Sequence, residues 1–141
     1  MRARLPSLVA FVPTAAVLVL ARWLTPDPAG VGTHTQLGLE PCAVLTWADF
    51  PCPMCGMTTT FSLLAHFRPV DAVVNQPFGV VLFAMTVMTA AISLLEIAHP
   101  QNRWDRLLQR IDGHEVALSS CLIAGLMAGW AYKIIAMGYL F

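Results

Sequence analysis

Three long apolar segments constrain the fold of this chain more than any other feature. They cover about residues 5–24, 78–98 and 116–140, and each holds only one charged residue. A helix of about 20 apolar residues is long enough to cross a bilayer. The whole chain is 57% hydrophobic and 11% charged, whereas a soluble domain is about one quarter charged. We therefore predict an all-α integral membrane protein, with residues 1–141 forming a single membrane domain of three transmembrane helices.

The arginines predict the orientation of these helices. Five of them flank the spans on one side, and two, Arg22 and Arg68, lie on the other. The five are Arg2, Arg4, Arg103, Arg106 and Arg110. Because basic residues are retained in the cytoplasm, we expect a cytoplasmic N-terminus and loop 99–115. Loop 25–77 and the C-terminus are then extracytoplasmic. A cleaved signal peptide is the alternative for residues 1–24, but its apolar core is typically only about 7–15 residues long.

Short helices are expected in both loops. We predict one or two interfacial helices in the first loop, at residues 58–67 and 69–75. They are divided at Arg68, because a residue before proline avoids the helical conformation. Residues 25–51 are rich in Pro, Gly and Thr, which favours irregular structure. In the inner loop, four apolar residues at helical spacing predict a helix on the membrane surface. These are Trp104, Leu107, Leu108 and Ile111.

The most reactive stretch is residues 51–60, Pro-Cys-Pro-Met-Cys-Gly-Met-Thr-Thr-Thr. Two cysteines at this spacing can clamp one metal ion or close a redox disulfide. Pro53 restricts the backbone between Cys52 and Cys55, and Gly56 permits a sharp turn after the second sulfur. The pair supplies only two ligands. Cys42 lies ten positions before Cys52 in flexible chain and can supply a third.

Other candidate ligands differ in whether they can reach these thiols. Cys121 lies five residues into the third span, about 8 Å from its inner end, and is expected to be a packing residue. His66 follows Cys55 by eleven residues, or about 16 Å of helix, which is too far unless the helix is interrupted. His34, Asp49 or a water molecule is a freer candidate for the fourth ligand. His99 and His114 belong to the opposite side.

Two features of the third span concern packing. Gly125 and Gly129 form a Gly-x-x-x-Gly step that lets another helix approach closely, either within the chain or from a homodimer or membrane-protein partner. Lys133 lies near aromatic residues, which is typical of an interfacial belt around a lysine that extends towards water. The aromatic residues are Trp130, Tyr132 and Tyr139. A functional charge inside the membrane is the alternative for this lysine.

The cysteine region resembles a widespread family of small bacterial membrane proteins of unassigned function. Its pattern is Cys, nine residues, Cys-Pro-x-Cys-Gly-x-Thr-Arg, then Leu-x-His-Gly and Asn-Pro. The matching residues are Cys42, Cys52, Pro53, Cys55, Gly56, Thr58 and His66. Thr59 replaces the arginine, Phe67 replaces the glycine, and Gln76 separates Asn75 from Pro77. The resemblance implies one fold and one cysteine site in the cytoplasmic membrane of a bacterium, without an activity.

Three hypotheses follow for the function. The favoured one is a membrane module in which Cys42, Cys52 and Cys55 bind zinc or iron. The second is a structural or partner-binding subunit whose loop is closed by a disulfide, and the third is a thiol–disulfide redox module. Nucleic-acid binding is not expected, since the formal net charge is zero. The serines have no histidine–carboxylate setting for hydrolysis. The expected partners are the lipid bilayer and, through Gly125 and Gly129, a second copy of the chain or another membrane protein.

Overall fold

The computed structural model describes residues 4–138, and this range consists of helices and loops without a β-strand. The α-helices are α1 (Arg4–Trp23), α2 (Ala43–Ala48), α3 (Met57–Ala65), α4 (Pro69–Asn75), α5 (Pro77–Ala98), α6 (Arg103–Ile111) and α7 (Glu115–Ala136). A 3₁₀ helix covers Thr33–Leu37. The prediction of an all-α fold is confirmed.

Helices α1, α5 and α7 are long and apolar enough to cross a membrane. Their apolar side chains point away from the rest of the chain, as the exposures of Val9, Met88 and Ile123 illustrate, at 62–68%. Water-soluble monomers rarely leave so much contiguous apolar surface uncovered. The outer surface of this three-helix arrangement is therefore suited to lipid.

The helix bounds follow the predicted spans closely, with one difference. Helix α7 ends at Ala136 and not near residue 140, because Gly138 adopts φ +78° and turns the chain out of the helix. Arg2, on which the predicted orientation partly rests, and Tyr139 of the predicted aromatic belt lie outside the described residues.

The expectation that residues 25–51 are irregular is wrong in two places. The 3₁₀ helix Thr33–Leu37 is bounded by two glycines with positive φ, Gly32 and Gly38. Helix α2 begins after Cys42 and ends where Asp49 turns left-handed at φ +47°. Each segment is too short to produce a helical repeat in the sequence, so tertiary contacts rather than periodicity select these conformations.

Helices α3 and α4 were predicted from the sequence and are present. Helix α3 packs against α1, α4 and α5. It buries Thr59, Thr60 and Ser62, and the Ser62 hydroxyl donates a hydrogen bond to the carbonyl oxygen of Leu24 at the end of α1. The segment that follows the cysteine motif is therefore held within the helix bundle at one end of the long helices.

The Gly-x-x-x-Gly step of α7 is used inside the chain. A β-carbon at Gly125 would lie 2.8 Å from the Phe78 ring, and one at Gly129 would lie 2.8 Å from the Phe78 β-carbon. The two glycines therefore let α7 pack against the start of α5. A homodimer or partner contact through the same step stays a prediction.

The C-terminus of α3 is a Schellman motif. The Arg68 N–H bonds to the Leu63 carbonyl at 2.9 Å, and the Phe67 N–H bonds to the Leu64 carbonyl at 3.0 Å. This geometry places Phe67 in the left-handed region at φ +59°, where glycine is normally favoured. The side chain is 89% exposed, so little packing compensates for the strain.

Phe67→Gly is expected to stabilise the protein by about 1 kcal/mol, because glycine has no β-carbon to strain this conformation. Denaturant unfolding in mixed micelles measures the difference. Phe67→Ala is the matched control, since it removes the same aromatic ring but keeps the β-carbon. Equal stabilisation by both variants would mean that the gain comes from losing the ring.

Candidate metal centre

Three cysteines from two parts of one loop converge at a single point. Cys42 immediately precedes α2, whereas Cys52 and Cys55 flank a turn closed by the Cys55 N–H and the Cys52 carbonyl at 3.0 Å. The Cys55 Sγ lies 3.3 Å from the Cys52 Sγ and 3.7 Å from the Cys42 Sγ. All three sulfur atoms lie within 4.8 Å of one another.

These distances fit a shared metal ion. A tetrahedral ion bound to sulfur at about 2.3 Å separates its sulfur ligands by about 3.8 Å. The two sulfur–sulfur distances from Cys55 are shorter than that edge, and the distance between the Cys42 and Cys52 sulfurs is at most 4.8 Å. A metal ion therefore requires only small side-chain adjustments. Cys42, which lies ten positions before Cys52 in the sequence, thus joins Cys52 and Cys55 in a cluster able to hold one ion.

The surroundings of the thiols divide them by acidity. Burial, with a smaller contribution from the neighbouring Cys52 thiol, raises the pKa of Cys55 to about 12. The pKa of Cys42 is lowered, chiefly by the Leu45 backbone N–H at the start of α2, although the geometry falls short of a full capping hydrogen bond. Without a metal, the Cys42 thiol therefore ionises more easily than the Cys55 thiol. Metal binding would have to displace the Cys55 proton.

The cluster opens into a small cavity of about 270 Å³, which leaves room for a fourth ligand. Its lining includes His34, Met54, Thr58 and Thr59 beside the three cysteines. The His34 ring Nε2 lies 3.2 Å from the Glu40 carbonyl oxygen. Within residues 4–138 no histidine or carboxylate joins the cysteines as a fourth member of the cluster. Water, or a His34 released from Glu40, fits the remaining position.

The other candidate ligands lie elsewhere. The His66 Nδ1 lies 2.8 Å from the Ser62 carbonyl oxygen at the end of α3, outside the cavity lining. Asp49 ends α2 and is likewise absent from the lining. Cys121 is exposed on α7 and does not belong to the cluster. The expected separation of Cys121 from the other cysteines agrees with this arrangement.

Lys133 is the main residue whose contacts the sequence does not indicate. The predicted extension of its side chain towards water is wrong, because the residue is only 4% exposed. Its ammonium donates to the Asn75 Oδ1 at 2.8 Å and approaches the Gly30 and Asn75 carbonyl oxygens at 3.3 Å. A β-carbon on Gly56 would lie 3.0 Å from the Lys133 Nζ, so the charge lies directly behind the cysteine turn.

Asn75 connects this lysine to the turn. Its amide nitrogen donates to the Gly56 carbonyl at 3.0 Å and to the Thr60 hydroxyl at 2.9 Å. One side chain thus holds the start of α3, the end of α4 and the ammonium of α7 together. The sequence shows Asn75 two positions before Pro77, but nothing in this spacing indicates the contact with Lys133.

Aromatic residues of α7 attach the loop from the other direction. The Trp130 indole N–H donates to the Pro51 carbonyl at 2.7 Å, and the Tyr132 hydroxyl donates to the Val74 carbonyl at 2.6 Å. The Phe50 ring also meets the Trp130 ring edge-on. Trp130 and Tyr132, which the sequence predicts for a membrane-interface belt, therefore fix the position of the cysteine motif.

Comparison with known proteins identifies the same region. A family model described as protein of unknown function DUF2752 matches residues 42–90. The match begins at Cys42 and continues through the cysteine turn, α3 and α4 into α5. It covers about a third of the 141 residues. No curated protein and no solved structure matches the chain.

Proposed function

We propose that this protein is a membrane-bound metal-binding module in which Cys42, Cys52 and Cys55 hold one zinc or iron ion. The observation that carries the proposal is the convergence of three sulfur atoms within 4.8 Å at the wall of a cavity. Zinc is the first choice, since it accepts three sulfurs with a nitrogen or oxygen and needs no electron partner. A fourth position open to water would let the ion bind or activate a small ligand.

Lys133 supports this proposal through its charge. Three thiolates around a divalent ion leave one net negative charge at the site. Within residues 4–138, no carboxylate lies at ion-pair distance from the Lys133 ammonium, whose hydrogen-bond acceptors are all neutral oxygens. A buried, unpaired cation is costly. A metal–thiolate centre next to it would supply the missing opposite charge.

The cysteine site is proposed to face the extracytoplasmic side of a bacterial cytoplasmic membrane, with the N-terminus inside and the C-terminus outside. Helix α5 runs from the cysteine loop at Pro77 to the inner loop at Ala98. The inner loop carries Arg103, Arg106 and Arg110 on α6. Since arginine-rich loops stay in the cytoplasm, the opposite end of α5 belongs outside.

Labelling in intact cells tests the metal and the orientation together. The protein carries Cys121→Ala, so that only the three loop cysteines can react, and the reagent is a maleimide that cannot cross the inner membrane. We expect little labelling at first, because bound metal shields thiolates. A strong chelator without reductant should then expose two or three thiols per chain, and the purified protein should contain about one zinc or iron ion.

Each alternative has its own outcome. If the chelator exposes thiols that react only after cell lysis, the orientation is the reverse of the proposed one, and the metal site still stands. Labelling released by a phosphine reductant and not by the chelator would replace the metal proposal with a disulfide.

A thiol–disulfide function is the second candidate, and one observation favours it. Cys55 lies close to both Cys52 and Cys42, at 3.3 and 3.7 Å between sulfurs, so either could become its partner. A thiol of lowered pKa, such as Cys42, is a better attacking group at neutral pH. The purified protein would then contain no metal and one reducible disulfide.

A further inference from the structure

We infer that a groove at the other end of the protein, between α5 and α6, is a binding site for the headgroup of an anionic phospholipid. The groove has a volume of about 260 Å³ and is lined by Ile92, Arg103, Arg106, Leu107 and Arg110. The four α6 residues are spaced three, four and seven positions from the first, which places them on one face of the helix. Three arginines and two aliphatic residues thus line one small concavity.

The position of α6 is fixed independently of any ligand. The buried Glu96 carboxylate accepts hydrogen bonds from the backbone N–H groups of Gln101, Asn102 and Arg103, at 2.7 to 3.1 Å. Glu96 is 1% exposed, and its three hydrogen bonds join the end of α5 to the start of α6. A rigid connection means that the arginines need little reorganisation to bind a ligand, which favours affinity.

The arginines divide into one structural residue and two available ones. Arg103 donates to the Leu95 and His99 carbonyls and pairs with Glu96. Within residues 4–138, the Arg106 side chain donates only to the Gln101 carbonyl, and the Arg110 side chain makes no hydrogen bond or ion pair. Arg106 and Arg110 are also four residues apart, where like charges repel along a helix. An anion between them would relieve this repulsion.

The apolar part of the groove identifies the class of anion. Ile92 lies six residues before the end of α5, about 9 Å inside a helix apolar enough to span the membrane. Together with Leu107 it continues the groove from the arginines towards the apolar part of the bilayer. A phospholipid carries a phosphodiester for the guanidinium groups and acyl chains for these two residues. Soluble phosphate would leave the aliphatic wall uncovered.

The experiment measures lipid binding to the full-length protein in detergent by native mass spectrometry. Phosphatidylglycerol and phosphatidylcholine are compared, because their acyl chains can be identical while only the first is anionic. Arg106→Gln/Arg110→Gln is expected to weaken phosphatidylglycerol binding roughly thirtyfold, with little change for phosphatidylcholine. Arg22→Gln/Arg68→Gln is the matched control, because it removes the same charge from the other end of the protein and should leave the affinity unchanged.

Arg110→Gln alone is the second variant, and it retains the Arg106 hydrogen bond to Gln101. It should weaken phosphatidylglycerol binding roughly fivefold. Equal weakening by the control pair would overturn the site, since it would mean that only net charge matters. Unchanged binding in both α6 variants, or complete displacement of the lipid by millimolar inorganic phosphate, would also overturn it.

Discussion

Cys42→Ser, Cys52→Ser and Cys55→Ser are each expected to reduce the bound metal from about one ion per chain to almost none. All three sulfurs lie within 4.8 Å of one another, so each variant removes one of three ligands from the same ion. Loss of a residue that only supports a metal ligand weakens binding about 10–100-fold, and loss of the ligand itself should cost more. Elemental analysis of the purified variants provides the measurement.

Cys121→Ser is the matched control for this series. It makes the same chemical change at an exposed position on α7, outside the cluster. We expect its metal content and stability to equal those of the unaltered chain. Full metal content in Cys42→Ser, combined with loss of metal in Cys121→Ser, would refute the ligand assignment.

Gly56→Ala is expected to lower the free energy of unfolding by about 3 kcal/mol and to reduce the metal content. Gly56 has φ +85°, so any β-carbon is strained there. The new atom would also lie 2.9 Å from the Gly30 carbonyl oxygen and 3.0 Å from the Lys133 Nζ. Because the carbonyl belongs to the backbone, the turn that carries Cys55 would have to move.

Gly38→Ala separates the two causes. Gly38 has a similar φ of +75°, but a β-carbon there meets nothing within 4 Å. It should therefore lose only the conformational contribution, about 1 kcal/mol. Unfolding in mixed micelles and metal analysis of both variants measure the difference. Equal destabilisation would show that the close contacts behind Gly56 contribute nothing.

The helices that were predicted well are those whose signal lies in the local sequence. Apolar length alone indicates α1, α5 and α7, and Pro69 marks the boundary between α3 and α4. Helix α2 and the 3₁₀ helix were missed because six and five residues are too few to establish a helical period. Gly138 ended α7 earlier than hydropathy suggested, since hydropathy does not detect a backbone turn.

The candidate site could be predicted in part. Cys52 and Cys55 are joined by a short turn, so their proximity follows from the motif itself. The addition of Cys42 was a hypothesis about a flexible loop, and the 3.7 Å approach of its sulfur to Cys55 is consistent with it. The predicted position of the Lys133 side chain is wrong because its ammonium binds Asn75, which lies 58 residues earlier in the chain. No local pattern connects two residues at that separation.

The sequence by itself determined the chemical character of this protein: three apolar helices, a basic helix between the second and third of them, and a pair of thiols at metal-binding spacing. These properties depend on composition and on residues near one another in the chain. Only the tertiary structure decided which groups surround the thiols. The close approach of Gly129 to Phe78 lets α7 pack against α5. This packing also places Lys133 of α7 behind the cysteine turn. Contacts between distant segments depend on how whole helices pack, and sequence periodicity does not specify this.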